Sequence, residues 1–195
     1  MAMSSVIEPY GETRRWRRAE YDRLVDLGMF EGERLELLDG LLVLREPQGS
    51  PHAATVSLIG QVVATAFGSG WHPRLQMPLA LDDESEPEPD VAVVTGAPRD
   101  YLDAHPATAA LVVEVAESSL RLDRVKSGLY ARAGIQDYWI VNLVERVLEV
   151  HRDPHVEADA PHGSVYRSVE LLRPPATVTP LAAPTALIRV ADLLP

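Results

Sequence analysis

The stretch that most constrains this chain is LVVEVA, residues 111–116, together with the segment running on from it to Asn142. Leu111, Val112, Val113, Val115 and Ala116 are apolar on both alternating faces, a pattern expected of a strand covered on both sides at the centre of a sheet. Glu114 is its single acid. An ionised carboxylate there is costly unless a cation, a metal or several donors hold it. The residues after the strand supply a candidate partner. Two residues of strand beyond Glu114 carry the chain roughly 7 Å away, and a helix starting near Ser119 returns Lys126 about 10 Å along its axis. Packed back over its own strand, such a helix sets Lys126 beside Glu114. Asp123, Lys126 and Tyr130 stand three and four apart and share one face. Gly134 then stops the helix as a left-handed cap would, and Asp137 to Leu143 (DYWIVNL) reads as the next strand. Two readings of Glu114 stay open at this point: an ion pair near a strand end, or part of a functional site.

A chain of 195 residues, 46% hydrophobic and 24% charged, fits one domain with a substantial core. The expected organisation is a flexible leader at 1–15 and a single domain over 16–195, with its core at about 34–152 and a C-terminal extension at 153–195. The absence of cysteine excludes disulfides, thiolate zinc sites and cysteine nucleophiles, and fits a reducing compartment. No run reaches the length of a membrane span and the first residues lack the apolar core of a signal peptide, so a cytoplasmic protein without a membrane partner is expected. The net charge of −11 argues against nonspecific nucleic-acid binding through a broad basic face. It leaves room for an enzyme whose basic groups line one groove. The cluster Arg14, Arg15, Arg17 and Arg18 around Trp16 either touches phosphates or is a solvated start of a helix. Gly-Lys-Ser/Thr, His-Glu-x-x-His and Gly-x-Ser-x-Gly motifs are absent, which removes weight from nucleotide hydrolysis, zinc proteolysis and serine esterase chemistry.

Along the chain, Ala19 to Leu27 has helical spacing ending at Gly28. Arg34 to Arg45 (RLELLDGLLVLR) places two apolar runs around Asp39-Gly40, a strong hairpin signal. Glu36 lies on its first strand, and the residues alone favour a solvent-facing position. The turn-forming PQGSP introduces a helix over His52 to Phe67 with Val56, Ile59, Val63 and Phe67 on its apolar side. His52 stands at its start, as a cap or as a ligand. Trp71 to Leu81 reads as an edge strand interrupted by prolines, with Gln76 turned either outward or toward a site. Asp82 to Asp90 packs six acids into nine residues, so most of it is expected to be an exposed loop. Asp90 differs, because it abuts the buried strand Val91 to Val94. If that strand neighbours Leu111 to Ala116, Asp90 and Glu114 form, with the arriving lysine, a hard oxygen site suited to magnesium or manganese. A turn or short helix at Arg99 to Leu102, strands at Val147 to His151 and Val165 to Leu172, a polar loop at His155 to Ser164 and a last strand at Ala186 to Val190 complete the reading.

ERLELLDG, a helix beginning at His52, SEPEPDVAVV, LVVEVAESSL, the Asp123 to Lys126 pair and YARAGIQDYWIVNL together resemble the Uma family, a bacterial branch of the PD-(D/E)XK nuclease superfamily. The resemblance covers roughly residues 15–152. It implies an α/β fold with a restriction-endonuclease-like αβββαβ core, a central mixed β-sheet flanked by helices, an N-terminal helix and hairpin, and C-terminal strands. It makes Asp90 the aspartate and Glu114 the acid of the signature. The signature lysine normally follows that acid by two residues on the strand; Ala116 stands there, and Lys126 on the helix is its replacement. Glu36 matches the glutamate of the family's hairpin, and His52 and Gln76 match positions the family fills the same way. Two departures stand out. Glu117-Ser118-Ser119-Leu120 replaces a Ser-Pro-Ser-Thr, and Asp123 and Lys126 are three rather than four apart.

The function implied is a Mg²⁺- or Mn²⁺-dependent endonuclease acting on nucleic acid, DNA in particular, as a homodimer or higher homo-oligomer. Its metal ligands would be Asp90, Glu114 and the Val115 carbonyl, its catalytic groups Glu36, Asp90, Glu114 and Lys126, with His52 and Gln76 as accessory groups. Two other readings keep the same residues: a catalytically silent nuclease-like scaffold that binds or assembles, and a hydrolase of a small phosphate ester.

Overall fold

The computed structural model describes residues 14–195. Of the expected leader, residues 1–13 lie outside the described part, whereas Arg14 and Arg15 are already anchored, to Glu20 and Asp39. Helix α1 (Arg18–Asp26) leads into the hairpin β1 (Leu35–Leu38) and β2 (Leu41–Leu44). Its turn needs a left-handed backbone at both Asp39 and Gly40, φ 51° and 76°, which the Asp-Gly pair tolerates.

Next come α2 (Ser50–Phe67), β3 (Trp71–Leu75), β4 (Val91–Thr95), β5 (Leu111–Ala116), α3 (Leu120–Arg132) and β6 (Asp137–Asn142). Long strands β7 (Val147–Val156) and β8 (Ser164–Leu172) extend the sheet, which runs β3-β4-β5-β6-β7-β8. Within it only β5 and β6 pair in parallel, Glu114 opposite Ile140, because α3 supplies the crossover that a parallel pair requires. The α/β architecture with a central mixed sheet flanked by helices is therefore present.

All six residues of β5 and all six of β6 are buried. Above one sheet face, Val56, Ile59, Val63 and Phe67 of α2 meet Val91, Val113, Val115 and Trp139. The other face packs Ala92, Val112, Ala116 and Ile140 against Tyr130, Ala131 and Ile135. Strand alternation sends Val113 and Val115 to one layer and Val112, Glu114 and Ala116 to the other. The C-terminal segment joins the α2 side: β9 (Thr177–Val178) pairs with β10 (Ile188–Arg189), and Val190 and Leu193 enter the core. The expected last strand at 186–190 shortens to two residues, since Val190 to Leu193 turns into a 3-10 helix.

Three further expectations are corrected. The strand expected over 71–81 stops at Leu75, because Gln76 takes φ 53° and swings its side chain sideways. The polar loop expected over 155–164 shrinks to 157–163, as β7 runs on to Val156 and β8 starts at Ser164. The acidic run 82–90 is not an exposed loop; Ser85, Glu86 and Asp90 are buried and only Asp83 is exposed. Arginines neutralise it. Arg132 pairs with Asp82, Arg17 with Asp83 and Glu84, Arg18 with Glu86, and Arg45 with Glu88. The N-terminal basic cluster, exposed at Arg14, Arg15 and Arg17, is thus engaged in ion pairs with acids of this chain.

Candidate active site

Four segments converge at the carboxyl end of β5. Strands β4 and β5 are antiparallel neighbours with Val91 opposite Val113, so Asp90, one residue before β4, lies beside the end of β5. Its Oδ2 accepts the Val115 N–H at 2.9 Å, and its own N–H donates to Glu114 Oε2 at 3.1 Å. Asp90 is thereby locked to the backbone one residue past Glu114, and Glu114 to the backbone of Asp90. Helix α3 packs back over β5 and delivers Lys126 Nζ to 3.1 Å from Glu114 Oε1, where the Tyr130 hydroxyl also donates at 2.9 Å. Lys126 and Tyr130 are one turn apart, so both reach the same oxygen.

Glu36 arrives from the hairpin. The Glu86 N–H donates to the Leu37 carbonyl at 2.8 Å, clamping β1 to the acidic run. Glu36 Oε2 then accepts the Glu88 N–H at 3.1 Å and lies 2.9 Å from Lys126 Nζ. At 1% exposure Glu36 is buried, against the solvent-facing position its alternation suggests; the 82–90 segment covers the face that an isolated hairpin would leave open. Lys126 is consequently a buried cation held between two buried carboxylates.

His52 and Gln76 also reach the site. His52 Nε2 is 3.0 Å from Asp90 Oδ2 and Gln76 Nε2 donates to Asp90 Oδ1 at 3.2 Å. Two participants are invisible to pattern reading. Gln48, in the stretch legible only as a turn, donates to Asp90 Oδ1 at 3.3 Å and accepts from Gln76 at 2.7 Å. Arg45, at the end of β2, bonds Glu88 at 2.6 Å and stands 3.7 Å from Asp90. Neither Gln48 nor Arg45 carries a signal in the sequence, since Glu36, whose burial would mark the hairpin, alternates like a solvent-facing residue.

Burial pushes the Glu114 carboxyl up; Lys126 opposes this while Asp90 and Glu36 add to it. Burial would also raise Asp90, but the bonds from His52, Val115 and Gln76 outweigh it and hold Asp90 low. Burial alone would depress Lys126, yet the attraction of Glu114 and Glu36 carries it upward and keeps it charged. Asp123, on the same helix face, is raised to about 8 by burial and by Glu114, despite its bond to Ser119. The site therefore holds more acid than its own cations neutralise.

A pocket of about 330 Å³ opens onto Glu36, Arg45, His52, Asp90, Glu114 and Lys126. The donor set suits a hard divalent ion in kind: two carboxylates and a backbone carbonyl. The Ala116 carbonyl accepts from Leu143 on the β6 side, so alternation turns the Val115 carbonyl to the Asp90 side. As the side chains stand, no group of three or more His, Asp or Glu among the described residues is arranged around one ion position, and each carboxylate oxygen of Asp90 and Glu114 already accepts from a protein donor. An ion would exchange with those donors rather than enter a vacant cage.

A crystal structure described as a putative nuclease belonging to DUF820, from Anabaena variabilis, is similar over 83% of this chain and 89% of its own, with a TM-score of 0.61 and 17% identity. At that identity the likeness shows the fold. Among curated proteins none matches. The family profile Uma2, described as "Putative restriction endonuclease", matches residues 18–190. It spans the hairpin with Glu36, the strands with Asp90 and Glu114, the helix with Lys126 and the C-terminal strands, and on that extent the chain belongs to the Uma2 family.

Proposed function

We propose that this protein is a metal-dependent endonuclease that hydrolyses phosphodiester bonds of nucleic acid, DNA in particular. The observation that carries the reading is the convergence of Asp90 and Glu114 from adjacent strands with Lys126 bonded to Glu114 from the following helix. The family's description as a restriction endonuclease supports the same class.

Asp90, Glu114 and the Val115 carbonyl would hold Mg²⁺ or Mn²⁺. Such an ion, when bound, polarises the phosphate and lowers the pKa of an attacking water. The chain's own groups do the rest. His52, Gln48 and Gln76 fix the rotamer of Asp90, and Tyr130 fixes that of Glu114. Lys126, kept protonated by Glu36 and Glu114, offers N–H donors to the charge that develops on the phosphoryl oxygens. Glu36 sets the height of Lys126 above the strand. Glu114→Ala and Asp90→Ala should each abolish Mn²⁺-dependent nicking of plasmid and single-stranded DNA by the purified protein; equal cutting by wild type and both variants would refute the assignment. A homo-oligomer working in the cytoplasm, with one such site in each subunit, completes the proposal.

One observation favours a second reading, a nuclease-like scaffold that binds without cutting. The carboxylate oxygens of Asp90 and Glu114 already accept from protein donors, so the cluster holds together without an ion. Titration calorimetry separates the two. Mn²⁺ uptake that disappears in Glu114→Ala supports the nuclease, and no uptake by wild type supports the scaffold.

A further inference from the structure

The pocket over the site is bounded by two short walls. One is the 46–49 connection between β2 and α2; the other is 117–121, the turn after β5 and the start of α3. They touch. Ser118 Oγ donates to Glu46 Oε2 at 3.3 Å, and a side chain on Gly49 would meet Glu117 Oε2 at 3.2 Å. Beneath them Glu36, Asp90, Glu114 and Lys126 are at most 3% exposed. A duplex holds its phosphates on a rigid cylinder and is poorly suited to bring one down onto groups so recessed. A single strand is better suited, because its backbone bends and its bases turn aside.

The charges around the mouth select further. Glu46 and Glu117 are exposed and repel phosphate. Of the cations lining the pocket, Lys126, Arg45 and His52 are each committed to a buried carboxylate or its neighbour. Arg121 is different. It sits in the first turn of α3, is exposed, lines the pocket and makes no ion pair among the described residues. The Ser119 hydroxyl of that turn is bonded to Asp123 Oδ2 at 2.5 Å and caps no backbone N–H, so the helix end adds its positive pole to the guanidinium.

We propose, resting on the nuclease reading, that the pocket takes a single strand of nucleic acid, and that Arg121 is the substrate-binding residue that grips a phosphate flanking the scissile one. A planar guanidinium suits this role, since it can bond two phosphate oxygens at once.

The test is fluorescence anisotropy of labelled single-stranded and hairpin-duplex oligonucleotides of equal length, in Ca²⁺ and over a series of salt concentrations. Wild type should bind the single strand more tightly. Arg121→Gln should weaken single-strand binding roughly tenfold and flatten the slope of log affinity against log salt by about 0.7. Arg121→Lys should retain the slope while losing part of the affinity. Arg99→Gln should change neither, because Arg99 lies beyond the opposite end of β4, exposed. Unchanged affinity and slope in Arg121→Gln, or duplex bound as tightly as single strand, would overturn the inference. Binding as described by a protein that cuts nothing would overturn the nuclease reading alone, and no binding to either oligonucleotide would overturn both.

Discussion

Replacing Lys126 by methionine tests the electrostatics on which the site depends. The side-chain nitrogen lies 2.9 Å from Glu36 and 3.1 Å from Glu114, so those two oxygens are no more than about 6 Å apart. At an effective dielectric constant near 20, two carboxylates at that separation repel by about 3 kcal/mol. Both are nearly inaccessible to water, and breaking one partner out of a buried ionic group costs about 3–5 kcal/mol. Lys126→Met should therefore lose about 3–5 kcal/mol in urea unfolding at pH 7. Its loss should shrink on acidification. With the cation gone, the folded protein holds a proton on one carboxylate at pH values where the unfolded chain has released it, so stability falls as pH rises. A Lys126→Met, Glu114→Gln double variant, which removes both charges, should recover most of the loss. If Lys126→Met unfolds within about 1 kcal/mol of wild type at pH 7, the lysine is not the neutralising centre, and its two ion pairs do not govern the site.

Two further outcomes concern buried acids outside the site. Burial, with Asp22 and Glu88 nearby and only Arg18 opposing them, raises Glu86 to about 7; its Oε2 has no hydrogen-bond partner. A raised carboxyl stabilises the fold at low pH and loses that contribution as pH climbs from its ordinary value near 4.5 to about 7. Glu86→Gln should accordingly flatten the stability profile over that window and gain about 2–3 kcal/mol at pH 8, and an unaltered profile by thermal unfolding would contradict this. Asp137 is fully buried and accepts from Trp139 Nε1 at 2.7 Å, Arg152 at 2.8 Å and the Leu181 N–H at 2.9 Å. Asp137→Asn should cost about 2–4 kcal/mol and speed amide exchange in 177–190 before the sheet opens; uniform exchange would show that the C-terminal segment does not hang on this residue.

The legible part of the protein is whatever rests on local period and short-range geometry. LVVEVA marks a central strand because both faces are apolar, and Lys126 can be placed against Glu114 because a strand end and two helical turns have fixed lengths. The misread part depends on partners far along the chain. Glu36 alternates like a solvent-facing residue and is buried only because 82–90 folds across it. That acidic run looks too charged to bury, and the arginines that neutralise it come from positions 17, 18, 45 and 132. Gln48 and Arg45 carry no local signature, as their role exists only once β2, α2 and β4 have met. Gln76 leaves β3 through a backbone angle that residue type does not announce.

Drawing the lysine from α3 instead of β5 changes what the site can tolerate. A strand-borne lysine keeps its direction as long as the sheet pairing holds. On a helix, direction is a rotation: each residue added or removed within α3 turns what lies beyond it by about 100° around the axis and moves it about 1.5 Å along it. The spacing from Lys126 to Leu129 and Tyr130 is thus a phase setting for the site. One residue inserted between them would turn Lys126 out of step with the face that Leu129, Tyr130 and Ala131 bury, and away from both carboxylates.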